Sequence, residues 1–251
     1  MSDQESFISH LIELRTRLLH AAGAVALVFV ALFLWPGSGY IYDLLAHPLI
    51  EVMGPDAKMI ATGVITPFMV PVKVNALVAF MIALPYVLYQ AWAFVAPGLY
   101  ENEKKLAAPL IVASTVLFLC GVAFCYFFVF GKVFAFIQGF APKSISPMPD
   151  IEAYFNFVLT MFLAFGVTFE IPVVVIVLVR MGIVTVEKLR EARPYVIVGA
   201  FVVAAVVTPP DVLSQFMLAI PMCILYEAGL FLARFVGTRK EETKEESTPA
   251  V

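Results

Sequence analysis

Long apolar stretches separated by short polar segments make up most of this chain. A helix needs roughly 20 apolar residues to cross the hydrocarbon core of a bilayer, and four or five of the stretches reach that length. The six stretches are Leu18–Trp35, Phe68–Ala96, Leu106–Phe130, Tyr154–Val179, Tyr195–Thr208 and Val212–Ala233. The pattern predicts an all-α, polytopic membrane protein with six transmembrane helices.

Positive charge is distributed unevenly over the segments between these stretches. If all six stretches cross, the two ends and every second connection share one side of the membrane. That side carries most of the 16 Lys and Arg residues: Arg15, Arg17, Lys104, Lys105, Arg180, Lys188, Arg190, Arg193, Arg234, Arg239, Lys240 and Lys244. Because segments rich in Lys and Arg stay in the cytoplasm, both termini are predicted to be cytoplasmic.

The connections on the other side differ in length. Residues 36–67 and 131–153 are expected to form two long outer loops, whereas Thr208-Pro209-Pro210-Asp211 is a tight reversal that two consecutive prolines force. The fifth stretch has fourteen residues, which span only about 21 Å as a helix. A helix this short suggests, as a hypothesis, that the bilayer is locally thinned around it.

The chain is expected to form one transmembrane domain over residues 1–236. Residues Ser6 to Leu18 repeat apolar side chains on one helical face, which predicts a short amphipathic helix leading into the first span. Residues 237–251 mix Glu, Lys, Thr and Ser, and this composition predicts a disordered cytoplasmic tail.

Glu170 lies in the middle of the fourth stretch, two residues before Pro172. An ionisable side chain at this depth is costly and usually faces a bundle interior or a wet cavity. It could form a polar notch that receives a partner, or it could be a protonated side chain that stabilises a helix kink within the bundle. For Glu227, which lies nearer the cytoplasmic end of the last stretch, a structural role is the favoured interpretation.

A second group of polar residues lies on the predicted cytoplasmic side. Glu13 belongs to the amino-terminal helix, and Glu103 follows an aromatic run that ends near Phe94. Two carboxylates beside aromatic rings suit a guanidinium group, which binds carboxylates through a planar fork and stacks on rings. Solvated loop glutamates and an interfacial aromatic belt are the alternative interpretation.

Composition excludes several functions. The chain is 62% hydrophobic and 14% charged, and it has no basic stripe of the kind that binds nucleic acid. Its three Cys and three His residues lack the spacing of a metal site, and no phosphate-binding loop is found, so neither an enzyme nor a cofactor is expected. A proton-coupled secondary transporter that uses Glu170 is the alternative function, although such a protein would carry further ionisable residues at mid-membrane.

Several motifs, in order along the chain, resemble those of the TatC family, the polytopic subunits of the bacterial twin-arginine protein translocase. The stretches that carry the resemblance are His10-Leu11-Ile12-Glu13-Leu14-Arg15, Met59-Ile60-Ala61-Thr62, Leu88 to Tyr100, Phe165 to Pro172, Arg193-Pro194-Tyr195 and Thr208 to Gln215. The resemblance implies a concave, glove-like bundle of six helices with short fifth and sixth helices, located in the cytoplasmic (inner) membrane.

The resemblance also implies a function and a set of site residues. A protein of this kind binds the twin-arginine signal peptide of folded cargo at the cytoplasmic face, and with the single-span subunits TatA and TatB it transports that cargo using the proton gradient. The implied signal-peptide site comprises Glu13, Phe94 and Glu103, and the implied partner-binding or intramembrane polar residues are Glu170, Thr208 and Gln215. Two further matching positions suggest structural roles: Pro48 as a fixed turn, and Asp211 as the cap of the last helix.

Overall fold

The computed structural model describes residues 2–53, 59–95, 104–140, 148–208 and 211–235. Within these residues the backbone is helical apart from turns and one isolated bridge between Ile60 and Asp150. The helices are α1 (Ser2–Leu34), α2 (Ser38–Met53), α3 (Thr66–Val95), α4 (Lys104–Phe124), a π-helical turn (Cys125–Val129), α5 (Phe130–Phe140), α6 (Ile151–Phe169), α7 (Ile171–Arg180), α8 (Val186–Glu191), α9 (Arg193–Val207) and α10 (Val212–Ala233).

Among the described residues, five helical segments are long and apolar enough to cross a membrane. They are Leu11–Leu34, Thr66–Phe94, Ala108–Phe140, Ile151–Arg180 and Val212–Ala233. The fifth predicted span is the shorter apolar helix α9, whose 15 residues reach about 22 Å. Its shortness is confirmed. The expectation that the sixth span is also short is wrong, because the 22 residues of α10 reach about 33 Å.

The first predicted outer loop, residues 36–67, contains the sixteen-residue helix α2. Three apolar residues at helical spacing, Ile41, Leu45 and Leu49, are buried on one face of α2. Pro48 lies inside this helix and is buried, so the fixed turn expected at that position is wrong. Packing of the apolar face offsets the backbone hydrogen bond that a proline removes.

The second predicted outer loop, residues 131–153, is also partly helical. After α4 the chain continues through the π-helical turn into α5, which ends only at Phe140. Phe130, Val133 and Phe134 are buried while Lys132 between them is exposed, so the apolar periodicity extends beyond the predicted end of the span.

The chain divides into two compact units. Unit 1 comprises Met1–Val116 with Lys143–Leu159, and unit 2 comprises Leu117–Pro142 with Thr160–Val251. The assignment of residues 1–236 to one domain stays a prediction. The disordered tail predicted over residues 237–251 lies outside the described residues.

In unit 1, α1 and α2 both pack against α3. The buried Asn75 of α3 donates a hydrogen bond of 3.1 Å to the carbonyl oxygen of Phe29 in α1. The start of α6 joins the same unit, where the buried hydroxyl of Tyr154 donates to the carbonyl oxygen of Leu45 in α2 at 3.0 Å. Side-chain to backbone hydrogen bonds thus connect helices that the apolar contacts alone would leave free to slide.

A short pairing joins the two segments that were predicted as separate outer loops. The amide of Ile60 donates to the carbonyl oxygen of Pro149 at 3.0 Å, and the amide of Ile151 donates to the carbonyl oxygen of Ile60 at 2.9 Å. Asp150 accepts hydrogen bonds from the Thr62 hydroxyl at 2.7 Å and from the amides of Glu152 and Ala153 at the start of α6. One carboxylate therefore caps α6 and holds the other segment in place.

In unit 2, α4 and α6 approach closely at Gly121. A Cβ atom at this position would lie 2.5 Å from the carbonyl oxygen of Phe165. A backbone atom cannot move aside as the end of a flexible side chain can, so only glycine permits this approach. The rings of Phe124 and Phe165, 5.8 Å apart, pack beside it.

We predict that Gly121→Ala destabilises the protein, whereas the matched change Gly131→Ala in α5 does not. A Cβ atom at Gly131 meets nothing within 4 Å, and alanine in a helix interior is favoured over glycine by roughly 1 kcal/mol. Thermal unfolding of the purified proteins in detergent should give a lower Tm for Gly121→Ala and an equal or higher Tm for Gly131→Ala. Equal melting of Gly121→Ala and the wild type would show that the two helices separate at no cost.

We also predict that Asp150→Ala lowers the Tm by a few degrees at neutral pH. The Thr62 hydroxyl, aided by the amides at the start of α6, holds the pKa of Asp150 below its ordinary value of 3.8. A lowered pKa means that the stabilisation is present above about pH 4 and is lost as the pH falls through the folded-state pKa. The Tm difference should therefore close in acid. Asp43→Ala, at an exposed position of α2, is the control, and an Asp150→Ala deficit that persists in acid would contradict this account.

Candidate functional site

Glu13 lies on α1 and is already bound to a guanidinium group. The Nε and Nη2 atoms of Arg17, one turn further along the helix, donate to one carboxylate oxygen of Glu13 at 2.9 Å and 2.6 Å. The side chains of Arg17 and Glu13 are 26% and 34% exposed. A helical i, i+4 ion pair in such a position contributes only about 0.3–0.5 kcal/mol. The carboxylate is therefore placed to bind a guanidinium, and its present partner can be displaced at low cost.

The packing of α1 on α3 brings Phe94 to the same end of the helix pair as Glu13. The two helices run antiparallel, because Phe29 meets Asn75 near one end while Leu18 and Val87 line a common cavity towards the other. Measured from the Phe29 and Asn75 contact, Glu13 lies about 24 Å along α1 and Phe94 about 28 Å along α3. The two residues thus differ in height by about one helical turn.

Glu103, the third residue of the implied signal-peptide site, lies outside the described residues. It directly precedes Lys104, the first residue of α4. Of the three side chains, the structure thus brings Glu13 and Phe94 to one end of unit 1, and the position of the Glu103 carboxylate stays a prediction.

Glu170 separates α6 from α7. The amide of Glu170 donates to the carbonyl oxygen of Val167 at 3.0 Å, which tightens the last turn of α6, and Pro172 occupies the first turn of α7. The fourth span is thus interrupted at Glu170, and the amide that Pro172 lacks accounts for the interruption. The Glu170 side chain is half-buried at this break, where the regular backbone pattern is interrupted.

Thr208 directly follows α9, Asp211 directly precedes α10, and Gln215 lies in the first turn of α10. Pro209 and Pro210, on which the predicted tight reversal depends, lie outside the described residues. Asp211 accepts a hydrogen bond of 2.7 Å from the amide of Ser214, which confirms its role as the cap of the last helix. The buried Thr208 hydroxyl donates to the carbonyl oxygen of Ala204 at 2.8 Å, and the Gln215 carboxamide donates to the carbonyl oxygen of Phe201 at 3.2 Å. These polar side chains hold the hairpin together, and the Gln215 carboxamide also has an acceptor oxygen to offer a partner.

Two contacts at the other end of this hairpin were not predicted from the sequence. The Arg193 Nη2 atom lies 2.6 Å from the Glu227 carboxylate, and the Tyr226 hydroxyl donates to the carbonyl oxygen of Leu189 at 2.7 Å. Glu227 thus has a structural role, because its ion pair with Arg193 joins α10 to the start of α9. The sequence feature that could have indicated this ion pair is Arg193, which lies in one of the matching motifs at the start of the short span.

Comparisons with known proteins agree with this geometry. The family described as Sec-independent protein translocase protein (TatC) matches residues 9–221. A Haemophilus influenzae protein named Sec-independent protein translocase protein TatC is 50% identical over 243 residues, covering 97% of this chain and 94% of the relative. The Escherichia coli K12 protein of the same name is 46% identical over 245 residues, covering 96% and 94%.

A solved structure supports the same assignment. A crystal structure described as the twin-arginine translocase receptor TatC superposes with a TM-score of 0.79 at 36% identity, covering 90% of this chain and 99% of that one. The family resemblance inferred from the motifs is thereby confirmed over nearly the whole chain. The protein therefore belongs to the TatC family, whose members are components of the Sec-independent protein translocase.

Proposed function

We propose that this protein is the subunit of a twin-arginine translocase that binds the signal peptide of folded precursor proteins at the cytoplasmic face. The observation that carries the proposal is the carboxylate of Glu13, which holds a guanidinium on α1 at about the height where α3 ends at Phe94 and Val95. Membership in the TatC family supports the assignment to protein transport, in preference to a secondary transporter that would use Glu170.

In the proposed binding mode, arginines of the signal peptide replace or join Arg17 at Glu13. Glu103 supplies a second carboxylate, and the Phe94 ring supplies an apolar and aromatic surface on which a guanidinium can stack. Arginine is preferred over lysine because only the planar guanidinium can make paired, charge-assisted hydrogen bonds to a carboxylate. The site lies at the membrane surface, so salt should weaken it.

We further propose that both termini lie in the cytoplasm, that the six apolar helices cross the inner membrane, and that the proton gradient drives transport. The single-span subunits TatA and TatB are the proposed partners, and they would dock on the half-buried Glu170 and on the α9 and α10 hairpin near Thr208 and Gln215. Polar side chains at this depth suit hydrogen bonds to a partner helix, because few competing groups exist in lipid.

The short length of α9 supports the proposal that this helix thins the membrane around it. It is held at its start by Arg193 and Glu227, and in its middle by the Gln215 carboxamide on the carbonyl oxygen of Phe201. A helix fixed at two points cannot tilt or slide freely to adapt to the bilayer. The bilayer must therefore adapt to the helix, which lowers the barrier for cargo at that place.

Site-specific crosslinking of the membrane-embedded protein to a signal peptide tests the binding proposal. The peptide carries either Arg-Arg or Lys-Lys, and the variants are Glu13→Ala and Glu103→Ala. Each lost hydrogen bond to a charged group costs about 1.5–3 kcal/mol, so we expect roughly tenfold or greater preference for Arg-Arg in the wild type and little preference in either variant.

Glu51→Ala is the matched control, because Glu51 is an exposed glutamate of α2 outside the proposed site. It should keep the preference for Arg-Arg. An unchanged preference in both Glu13→Ala and Glu103→Ala would place recognition elsewhere on the protein.

Lengthening α9 tests the thinning proposal. Four leucines inserted after Val206 add about 6 Å beyond the contacts of Arg193 and Phe201, and we expect export of a folded twin-arginine reporter to fall. A variant of unchanged length, with leucine at the exposed positions Val202, Val203 and Val206, controls for added hydrophobicity. Export at the wild-type level from the lengthened protein would refute thinning and leave the signal-peptide site unaffected.

A further inference from the structure

An elongated apolar cavity lies between α1 and α3 in unit 1. Its volume is about 450 Å³, and it is open along one side. The lining residues include Leu18, Ala22, Ala26 and Phe29 from α1, with Ala76 and Val87 from α3. The alanines create the space, because larger side chains at the same positions would fill the gap between the two helices.

The dimensions of the cavity match one leaflet of a bilayer. From Leu18 to Phe29 it extends about 17 Å along α1, close to half of a hydrocarbon core about 30 Å thick. Its volume divided by this length gives a mean cross-section of about 26 Å². A single hydrocarbon chain fits within a groove of this size, whereas an α-helix with its side chains, about 10–12 Å wide, would lie over the open side without filling it.

A positive charge lies at one end of the cavity. Arg15 precedes Leu18 by three residues and therefore lies on the same face of α1, one turn beyond the apolar lining. Its side chain is exposed, unlike that of Arg17, which Glu13 binds. At the same end of α3, the exposed rings of Tyr86 and Tyr89 flank Val87, and such rings favour the level of lipid headgroups.

From these observations we propose that the cavity binds one acyl chain of an anionic phospholipid whose phosphate contacts Arg15. The chain lies along the alanines of α1, and its methyl end reaches Phe29, where the Asn75 hydrogen bond closes the space between the helices. The length and width of the cavity select a hydrocarbon chain, and the arginine at its mouth selects a negatively charged headgroup. The bound lipid would then act as a structural part of the α1 and α3 pair.

Native mass spectrometry of the detergent-solubilised protein provides the test. Phosphatidylglycerol and phosphatidylethanolamine with identical acyl chains are titrated separately, and the bound fraction and the Tm are measured. We expect the protein to bind phosphatidylglycerol about fivefold more tightly, as one arginine near a headgroup provides, and to melt at a higher temperature with that lipid.

Two variants separate the chain from the headgroup. Ala22→Leu with Ala26→Leu fills the cavity from positions that are exposed, and should abolish tight binding of both lipids. Arg15→Gln leaves the cavity open and should remove only the preference for phosphatidylglycerol. The matched controls are Ala205→Leu on an exposed face of α9 and Arg234→Gln after α10, and both should behave like the wild type.

Two results would overturn the proposal. One is equal binding of the two lipids to the wild type, and the other is lipid binding that survives filling of the cavity. If the filled variant keeps its lipid and also no longer co-purifies with a single-span subunit, the occupant is a protein helix.

Discussion

The fold depends on one constraint: in hydrocarbon every backbone amide and carbonyl must find its hydrogen bond within the protein. Two described helix boundaries in apolar sequence show other groups taking part in this hydrogen bonding. At Glu170 the last turn of α6 tightens onto the carbonyl oxygen of Val167. Where α10 begins, the Asp211 carboxylate and the Gln215 carboxamide bind backbone groups directly.

This constraint explains why structural and functional roles fall on the same residues. A polar side chain in an apolar region is retained only if it has a partner, and the irregular backbone at a break is such a partner. A break is also where a second subunit or a signal peptide finds polar groups to bind. Gln215 illustrates both roles. Its side-chain nitrogen donates a hydrogen bond that holds α9 and α10 together, and its side-chain oxygen can accept a hydrogen bond from a docking helix.

Much of the fold could be predicted from composition and periodicity alone. The apolar stretches located five long helices and the short α9, and Asp211 located the cap of the last helix, because these features depend on local residues. The sequence could not locate α2, whose apolar face is buried against other helices, or the pairing of Ile60 with Asp150, which joins residues about 90 positions apart.

The candidate site could likewise be predicted from the sequence only in part. The spacing of Glu13 and Arg17 placed both on one helical face, so their ion pair was implicit in the sequence. The position of Phe94 within about one helical turn of Glu13 in height required the antiparallel packing of α1 on α3, which no local pattern encodes. The cavity between α1 and α3 is still harder to predict. The hydropathy of a sequence does not reveal an empty volume, and this volume depends on alanines that face each other across the two helices.

The π-helical turn over Cys125–Val129 lies between the two parts of the third long helix. Such a turn contains one more residue than an α-helical turn, so it absorbs that residue locally in a wider turn. The helix after it therefore buries Phe130, Val133 and Phe134 and exposes Lys132 much as an uninterrupted helix would. Loss of one residue here would restore a regular α-helical turn and leave the same side chains facing the core. A one-residue gap at this place would thus change the shape of one turn and not the division between surface and core.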